Sequence, residues 1–570
     1  MKKKIMHLCI LLLIINFNSR ANTFHLLDGI ESSLYTINKD VPTHFIPSPN
    51  LEQIRLEDQK NDKNGMFYRI GVSSFVNLSN QNSGIWSTLS SGDKSWQLAI
   101  KNPGAEALSF IFKTFKLSEG SSFFVQTKEG KRVSDVLTKD DLLEDLQQNV
   151  ALCFGDELVL TLIDKRNNTT SELILDRVIY NYRSTGNPNK NKINESDATC
   201  EVNVNCSEGN NYQDEKKGVV RIYVVGTTGA GWCSGSLVNN LANDCKPYVL
   251  TALHCGPSVH TTTANMLLWK FYFNYEAPTC VNPTSVGTLA SKYVSSCLRI
   301  ADSNDNDGTN ISKSDFLLVQ IGTLANETTT IGKIITYGGY WNGWDANTSA
   351  SASGVSIHHP SGDIKKISTY TSSLTNSTWP GSITNFHWQV SWAATANGHG
   401  VTEGGSSGSP IFTYNNGSSR IVGTLSGGSS FCTATSSPDL YGKMSCHWTS
   451  DGSASNQKLK TFLDPNNTGT LVLDGSFNPC NYVGIKEQII EKEISIYPNP
   501  TFEQLSIDLT SISGENVTIE IYDLMGKLIY STFKNSDTLI EINMESYMKG
   551  IYNVYIHSDE INLVKRISKN

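Results

Sequence analysis

The sequence predicts an all-β protein built from several domains, and three observations lead to that prediction. The chain has 570 residues, more than the usual length of about 100–200 residues for one domain. Short apolar or alternating runs such as Trp96–Ile100 and Val219–Val225 recur along the chain, as in β-strands. Turn-forming segments such as Asn102-Pro103-Gly104 separate these runs, and long helical periodicity is absent except around Gln457–Leu463.

The first residues have the organisation of a secretory signal peptide. A lysine-rich start precedes an apolar run over Ile5–Ile15, and the small residues that end at Ala21 suit cleavage. We therefore assign residues 1–21 to a signal peptide and expect export. Cys9 lies inside the run and leaves a lipoprotein anchor as the weaker alternative. No later stretch reaches the roughly 18 apolar residues of a membrane-spanning helix, so we expect a soluble mature chain.

Charge and cysteine usage limit the classes of partner. The net charge of -8 is spread without a basic or acidic block, which argues against nucleic acid as a partner. Of the 12 cysteines, Cys9 and Cys153 stand apart and the others lie between Cys200 and Cys480. An even number in an exported protein predicts disulfides. There is no Cys-x-x-Cys pair, which argues against structural zinc, and we expect neither metal nor cofactor.

Four regions of different texture follow the signal peptide. Residues 22–192 alternate like a small β-domain and end in a polar, linker-like stretch. Residues 193–480 contain the cysteines and many strand-like runs with Gly- and Ser-rich turns, as in barrels or a sandwich. A charged connector at 481–493 leads to residues 494–570, which suffice for a small antiparallel sandwich. There, Val517–Tyr522 alternates like a half-buried strand.

The strongest local signal is the segment Gly404-Gly405-Ser406-Ser407-Gly408-Ser409-Pro410. Glycines around a serine let a substrate backbone approach, and free amides in such a loop can stabilise an oxyanion. Ser407 is the candidate nucleophile, and the amides of Gly405 and Ser407 are the candidate oxyanion hole. Taken alone, the segment also fits an ordinary turn between two strands.

Two further residues complete a candidate catalytic triad. His254 follows the mostly apolar run Tyr248–Leu253 and can accept the proton of a serine hydroxyl, which is otherwise a poor nucleophile. Asp315 directly precedes the apolar run Phe316–Val319 and can hold the imidazole in one tautomer. The chain order His, Asp, Ser is that of one known triad arrangement. Together these residues predict acyl transfer by a serine.

Six segments carry a family resemblance: Trp232–Asn240, Leu250–Cys255, Ser314–Phe316, Ile357–Pro360, Gly400–Pro410 and Asp439–Gly442. They closely resemble bacterial lysyl endopeptidases over about residues 198–475. The resemblance implies a chymotrypsin-like protease domain of two six-stranded β-barrels that acts on protein or peptide substrates. It also implies that His254, Asp315 and Ser407 are the triad.

The resemblance implies a binding site for the substrate side chain before the scissile bond. In trypsin the acid of this site lies six residues before the nucleophile, where this chain has Val401. The lysyl endopeptidase resemblance supplies Asp439 instead, as the acid that binds a P1 lysine, with Trp392 beside it. A buried carboxylate that only a cation satisfies discriminates against neutral side chains. Asp439 also fits a simple turn.

The sequence departs from the family at one position of this binding site. Ser426 replaces a histidine of the family's well-known members, which leaves the Lys-over-Arg preference open.

The same resemblance implies three disulfides, Cys200–Cys432, Cys206–Cys280 and Cys233–Cys255. The last would close about 22 residues around His254 and stabilise the fold by roughly 3 kcal/mol. Four other cysteines have no counterpart in the resemblance, and the pairs Cys245–Cys297 and Cys446–Cys480 are a guess.

The residue before the nucleophile bears on activation. In trypsin-type zymogens a new N-terminal ammonium pairs with an aspartate at this position, but Ser406 has no charge and cannot form that pair. We therefore expect residues 22–192 to be a propeptide that assists folding or blocks the cleft. A lysine-specific enzyme could remove this region itself by cutting after Lys190 or Lys192.

Four motifs mark the last region: Tyr497–Pro500, Tyr522–Lys527, Lys549–Val554 and Leu563–Lys569. They resemble the type A sorting domains of type IX secretion. The resemblance implies that the secretion machinery recognises residues 494–570, removes this tail and delivers the protein outside the cell or to its surface. The alternative is an ordinary accessory or carbohydrate-binding β-sandwich.

Two smaller features and two functional alternatives remain. His358-His359 lacks a third ligand at metal-binding spacing, and Asp302–Gly308 lacks the glycine and glutamate positions of a calcium loop. We expect His358-His359 to serve in packing and Asp302–Gly308 to form an acidic surface loop. We also expect a monomeric protein.

The first functional alternative is a glutamyl-type endopeptidase, since Gly-Ser-Ser-Gly-Ser-Pro suits that branch as well. The second is a non-catalytic binding module on a protease scaffold.

Overall fold

A computed structural model gives the structure of most of the chain. The described residues are 37–63, 67–139, 147–165, 171–183, 200–258, 260–283, 292–305, 311–415, 418–449, 451–480, 495–509, 516–523, 527–535, 539–557 and 562–570. The expected signal peptide (1–21), the connector (481–493) and the expected cleavage positions Lys190 and Lys192 lie outside the described residues. Within those residues, none of the helices has the length and apolar character needed to cross a membrane.

The N-terminal region, residues 37–183, is a β-domain of two sheets. One sheet has the order β1-β4-β9-β6-β7 with β3 on β4, and the other contributes β2-β10-β5-β8. Large apolar side chains such as Trp96 and Phe110 fill the core of this domain. Its elements are β1 (Thr43–Phe45), α1 (Leu51–Lys63), β2 (Tyr68–Ser79), β3 (Ile85–Thr88), β4 (Lys94–Lys101), β5 (Ala107–Lys116), β6 (Ser122–Thr127), β7 (Leu137–Thr138), β8 (Gln148–Phe154), β9 (Glu157–Asp164) and β10 (Glu172–Asn181).

The following region, residues 200–480, contains two halves, each built mainly from antiparallel strands. In the first half the strand order is β16-β15-β12-β13-β14-β18-β17. The predicted strand Val219–Val225 is β12, and all of its residues are buried. The elements of this half are β12 (Val219–Val225), β13 (Gly229–Leu237), β14 (Tyr248–Ala252), α2 (Thr263–Met266), β15 (Lys270–Tyr272), β16 (Tyr293–Ser295), β17 (Cys297–Asp302), β18 (Phe316–Ile321) and α3 (Glu327–Thr336).

The second half has the strand order β11-β21-β20-β24-β25-β26-β23-β22, with β19 joining β25 to β27. The helical signal around Gln457–Leu463 corresponds to the single turn α5 and a short 3-10 turn before it. The elements are β11 (Val202–Asn203), β19 (Trp344–Asp345), β20 (Gly354–His358), β21 (Lys366–Tyr370), β22 (Thr375–Ser377), β23 (His387–Val390), β24 (Pro410–Asn415), β25 (Ser418–Gly428), β26 (Asp439–Lys443), α4 (Met444–Thr449), α5 (Lys460–Leu463) and β27 (Val472–Leu473).

The N-terminal region and the first half share one continuous sheet, which the sequence did not predict. Strand β2 pairs antiparallel with β13, and Tyr68 lies opposite Trp232. Buried hydrogen bonds reinforce this join, including Arg177 to the Gly226 carbonyl (2.9 Å) and Asn149 to the Leu268 carbonyl (2.9 Å). Edge strands with unpaired amides and carbonyls are natural pairing sites. Here β2 and β13 each cover the edge of the other.

The C-terminal region, residues 495–570, forms the predicted small sandwich. A three-stranded sheet (β28-β29-β32) and a four-stranded sheet (β31-β30-β33-β34) enclose a core of aliphatic residues such as Leu505 and Val554. The all-β prediction is confirmed. The strands of this region are β28 (Ser495–Tyr497), β29 (Gln504–Asp508), β30 (Asn516–Asp523), β31 (Leu528–Asn535), β32 (Leu539–Asn543), β33 (Gly550–His557) and β34 (Asn562–Lys569).

Candidate active site

His254 and Asp315 form a tightly bonded pair in the first half. His254 lies in the short turn that follows β14, and Asp315 directly precedes β18, the strand that pairs with β14. The Asp315 Oδ2 atom is 2.8 Å from His254 Nδ1, and Oδ1 accepts the His254 backbone amide at 3.0 Å. Asp315 therefore fixes both the ring and the backbone of His254. This geometry favours the tautomer with the proton on Nδ1, which leaves Nε2 as the acceptor.

Ser407 lies in the loop before β24, against the turn that contains His254. Its carbonyl accepts the Ser234 amide at 2.8 Å and lies 3.8 Å from the sulfur of Cys255. Within the described residues no hydrogen bond joins the Ser407 hydroxyl to His254, and the buried Nε2 atom has no protein partner. The structure thus brings the serine loop and the histidine turn together, with an acceptor nitrogen free on the histidine.

The two candidate oxyanion-hole amides belong to the same loop. In the described part of the chain neither the Gly405 nor the Ser407 amide has a protein acceptor, whereas the Gly408 amide donates to the Leu425 carbonyl. Gly405 has φ +95°, and a Cβ there would lie 2.9 Å from the Gly362 amide nitrogen. Only glycine fits this backbone conformation without strain. The loop can therefore offer two free donors to a developing negative charge.

Ser406 and His358 support the serine loop from behind. The Ser406 hydroxyl is 2.8 Å from His358 Nδ1, and His358 Nε2 is 3.0 Å from the Ser368 hydroxyl. Burial, with a smaller contribution from Lys366, lowers the pKa of His358 to about 3, so the ring is neutral. Ser406, the residue before the nucleophile, thus belongs to an uncharged network, whereas trypsin-type enzymes have an ion pair at this position. The sequence analysis had assigned His358 to packing and missed this contact.

Asp439 lies at the start of β26 with its carboxylate surrounded by donors. Oδ2 accepts hydrogen bonds from Trp392 Nε1 (2.6 Å), the Thr402 hydroxyl (2.7 Å) and the Ser430 hydroxyl (2.6 Å), and Oδ1 accepts the Ser430 amide (3.1 Å). Burial raises the pKa of Asp439, and these donors oppose that rise. A Cβ on the exposed Gly428 would overlap Oδ1, so a side chain at this position would displace the carboxylate.

The structure brings Trp392 to Asp439 but orients Ser426 elsewhere. Ser426 is fully buried in β25, and its hydroxyl is 3.2 Å from His387 Nε2. Burial lowers the pKa of His387 to about 4. The sequence analysis missed Thr402, Ser430 and His387. Thr402 lies in the segment Gly400–Pro410 but has no distinguishing feature there, and the other two lie outside every segment of the resemblance.

Two sequence-based expectations were wrong. The structure contains the disulfides Cys200–Cys432, Cys206–Cys280 and Cys233–Cys255, but the fourth is Cys245–Cys480, whereas Cys297 and Cys446 are free. Neither guessed pair, Cys245–Cys297 nor Cys446–Cys480, forms, because Cys245 and Cys480 are bonded to each other. Asp305, expected in an acidic surface loop, is also fully buried.

Two parts of the chain match known protein families. Residues 193–442 match the family model of the lysyl endopeptidase C-terminal domain, and residues 495–570 match that of the secretion system C-terminal sorting domain. A lysyl endopeptidase of Pseudomonas aeruginosa is 27% identical over 248 residues, which are 42% of this chain and 47% of that protein. The chain therefore spans about half the length of that relative.

More distant similarities were found as well. The ulvan lyase NLR42 of Nonlabens ulvanivorans is 31% identical over 67 residues, 12% of each protein. A thermostable serine protease, AL20, from an extremophilic microorganism aligns with 40% of this chain and 93% of its own at 15% identity and a TM-score of 0.28. The protease Anisep of Arthrobacter nicotinovorans aligns with 41% of this chain and 92% of its own at 19% identity and a TM-score of 0.29.

The two family matches cover separate parts of the chain. One contains His254, Asp315, Ser407 and Asp439, and the other is the C-terminal sandwich. The predicted export by type IX secretion is confirmed by the second match. This exported chain thus carries a domain of the lysyl endopeptidase family followed by a secretion-system sorting domain.

Proposed function

We propose that the protein is a secreted serine endopeptidase that cleaves peptide bonds after lysine. The main support is the bonded pair His254–Asp315, with a free Nε2 acceptor, packed against the loop of Ser407. A carboxylate bonded to an imidazole, next to a serine loop, supports nucleophilic catalysis. The free Gly405 and Ser407 amides of that loop would supply the oxyanion donors of such a reaction.

The mechanism follows from these positions. The Ser407 hydroxyl attacks the substrate carbonyl while His254 Nε2 takes its proton, and the Gly405 and Ser407 amides stabilise the oxyanion. Asp315 stabilises the imidazolium that forms. His254 then donates the proton to the leaving amine, which leaves an acyl group on Ser407. Water, activated by His254 in the same way, hydrolyses this acyl-enzyme and restores the hydroxyl.

Specificity for lysine is supported by Asp439. Its Oδ2 is occupied by three donors, whereas among the described residues Oδ1 accepts only the Ser430 amide and therefore has a lone pair left for a further donor. An ammonium group that reaches Oδ1 would compensate a carboxylate that burial otherwise disfavours. A neutral side chain would leave that charge unpaired, and this difference is the basis of the selectivity.

Digestion of a denatured protein by the matured enzyme, followed by mass spectrometry, tests this proposal. We expect cuts after lysine, labelling by a fluorophosphonate, and loss of both in Ser407→Ala. Cuts after glutamate would favour the glutamyl-type alternative. A wild-type protein that neither cuts nor reacts with the probe would indicate the non-catalytic binding module.

We also propose that residues 22–192 are a propeptide that covers the active site. The Tyr68 ring packs on Gly404, beside Gly405 of the serine loop, and Phe67 packs on Gly231 of β13. Arg183 lies 4.1 Å above the Tyr68 ring and holds it there. In the complete chain the exposed fractions of His254 and Ser407 are only 1% and 8%. A substrate can reach His254 and Ser407 only when this strand is displaced or has not yet docked.

The rate of fluorophosphonate labelling tests the propeptide role. In a full-length chain with Lys190→Gln and Lys192→Gln, which blocks the expected self-cleavage, we expect slow labelling of Ser407. Adding Phe67→Ala and Tyr68→Ala should speed labelling at least about tenfold, since roughly 1.4 kcal/mol of lost packing changes an equilibrium that much. Phe45→Ala, which alters an aromatic residue of β1 that is 59% exposed, is the control. Equal rates in all three chains would refute the inhibitory role.

We propose that residues 494–570 bring the chain to the type IX secretion machinery and are then removed. The family match over 495–570 and the separate core of this sandwich support a detachable signal. Deletion of the tail should leave the protein inside the outer membrane, whereas the complete chain should appear outside without the tail. Export of the truncated chain would contradict this role.

A further inference from the structure

The segment that leads to Asp315 is held in an unusual way. Residues 312–316 have five consecutive backbone amides, and each donates to a side-chain oxygen rather than to a neighbouring strand. Consecutive amides that point inward form a concavity that favours negative charge. Two buried carboxylates, Asp305 and Asp451, fill this role.

Asp305 binds three of the five amides. Its Oδ1 accepts the amides of Ser312 (2.7 Å) and Lys313, and its Oδ2 accepts the amide of Asp315 itself (2.9 Å). Ser303 donates to the same Oδ2 and accepts the fifth amide, that of Phe316, at 3.1 Å. Asp305 is fully buried, so water cannot replace these contacts.

Asp451 binds the remaining amide. Its Oδ1 accepts the Ser314 amide at 3.0 Å, and its Oδ2 accepts the Ser314 hydroxyl. His447 Nδ1 is 2.6 Å from that hydroxyl, and Nε2 is 2.9 Å from the Thr424 hydroxyl of β25. Burial lowers the pKa of His447 to about 3, so the ring is neutral. This second anchor connects the Asp315 segment to the second half.

The anchors matter because Asp315 has a strained backbone. Its φ is +59°, in the left-handed region that side chains other than glycine rarely adopt. That turn directs the carboxylate to the amide and ring of His254 instead of along β18. Without fixed amides on both sides, the segment could relax to an extended conformation and rotate the carboxylate away.

We propose that Asp305 and Asp451 are positioning residues, which fix the amides of residues 312–315 and thereby the direction in which the Asp315 carboxylate meets His254. This proposal rests on the proposed function, since it gives Asp315 a catalytic role. Neither residue touches the reacting atoms. Burial and the charge of Asp315 raise the pKa of Asp305, whereas the amide donors act in the opposite direction.

The test uses Asp305→Asn in enzyme matured from the full chain. An asparagine keeps the volume but loses one acceptor, so the Asp315 amide loses its partner. We expect kcat for a lysyl amide substrate to fall about 10- to 100-fold, because small misplacements of catalytic groups have effects of this size, with KM changed less than about twofold. We also expect the downfield proton resonance of His254 Nδ1 to shift. Asp302→Asn is the matched control, since Asp302 ends β17 close to Asp305 in sequence but accepts hydrogen bonds from the Asn304 amide and from Arg299.

Further measurements distinguish positioning from stability alone. A lower melting temperature with unchanged kcat and an unchanged Nδ1 resonance would overturn the proposal. If Asp305→Asn does not accumulate, Ser314→Ala removes only the hydroxyl between Asp451 and His447. It should lower kcat several-fold and shift the same resonance, and no change in either would again overturn the proposal. A wild-type enzyme that does not cut after lysine would refute the proposed function, but the shift in the resonance would still report on positioning.

Discussion

In the first half of residues 200–480 the Asp315 carboxylate and its segment are fixed by protein hydrogen bonds, whereas in the second half two candidate amides remain open. Asp315 uses both carboxylate oxygens on His254, and its own amide is held by Asp305. The Gly405 and Ser407 amides have no acceptor among the described residues, and the Asp439 Oδ1 atom accepts only the Ser430 amide there. Under the proposed function, the first half fixes the proton relay and the second receives the substrate.

The largest expected effect comes from breaking the fixed half. Asp315→Asn keeps the shape but presents an amide to the imidazole, which favours the wrong tautomer. We expect kcat to fall about 10⁴-fold, the size of effect known for such a change in a triad. Active-site titration with a fluorophosphonate gives the enzyme concentration for this measurement. A decrease of less than tenfold would mean that Asp315 is not the orienting residue.

A change in the open half should affect specificity more than chemistry. Asp439→Asn removes the charge that would bind a lysine ammonium, so kcat/KM for lysyl substrates should fall about 10³-fold. Substrates with neutral P1 side chains should be cleaved as well as before. Asp474→Asn, which alters a carboxylate paired with Arg420 near the surface, should change neither value. Equal losses for lysyl and neutral substrates would show that Asp439 only supports the fold.

The Cys233–Cys255 disulfide contributes to the rigidity of the first half. It closes a loop of 22 residues next to His254. Cys233→Ser with Cys255→Ser should lower the free energy of unfolding by roughly 3 kcal/mol, as measured by denaturant unfolding in a Ser407→Ala background that prevents self-digestion. Cys446→Ser changes a free cysteine and should have a smaller effect. If the double variant were as stable as its parent, this bond would not stabilise the half.

The smallest expected effect is a loss of stability at acidic pH, which His358 of the second half should cause. His358 has a folded-state pKa of about 3, whereas the unfolded chain titrates near 6.5. Since the unfolded state binds the proton first, this residue destabilises the fold as pH falls below about 6.5. From pH 7.5 to 5.5 its contribution should change by about 1.4 kcal/mol. His358→Gln should remove that pH-dependent part, measured by unfolding of the Ser407→Ala protein at both values. An unchanged pH dependence would mean that His358 is charged in the fold.

The sequence could locate the residues of the candidate site because each lies in a short motif with a fixed local shape. Gly405 and Gly408 precede and follow the nucleophile, and His254 and Asp315 stand at strand ends where apolar runs stop. The donors around Asp439 could not be found in this way, since Thr402 and Ser430 meet it only through tertiary packing. Asp305 was misjudged because the acidic composition of its loop suggested solvent exposure.

Long-range pairing was the other limit of the sequence. Cys245 and Cys480 are separated by 235 residues, and no spacing rule connects cysteines so far apart. The pairing of β2 with β13 depends on which strand edges remain uncovered after both sheets have formed. Alternating polarity shows that a strand has one buried face, but it does not show with which other strand it pairs.

The shared sheet has a consequence for the timing of activation. Cutting the chain near residue 190 removes a covalent link, but it leaves the strand pairing of β2 with β13 and the buried contacts beside it intact. The severed N-terminal piece would then behave as a bound inhibitor with its own dissociation rate. Proteolytic activity would begin when that piece dissociates or is degraded. Dilution outside the cell, rather than the first cut, would therefore set the time at which the enzyme becomes active.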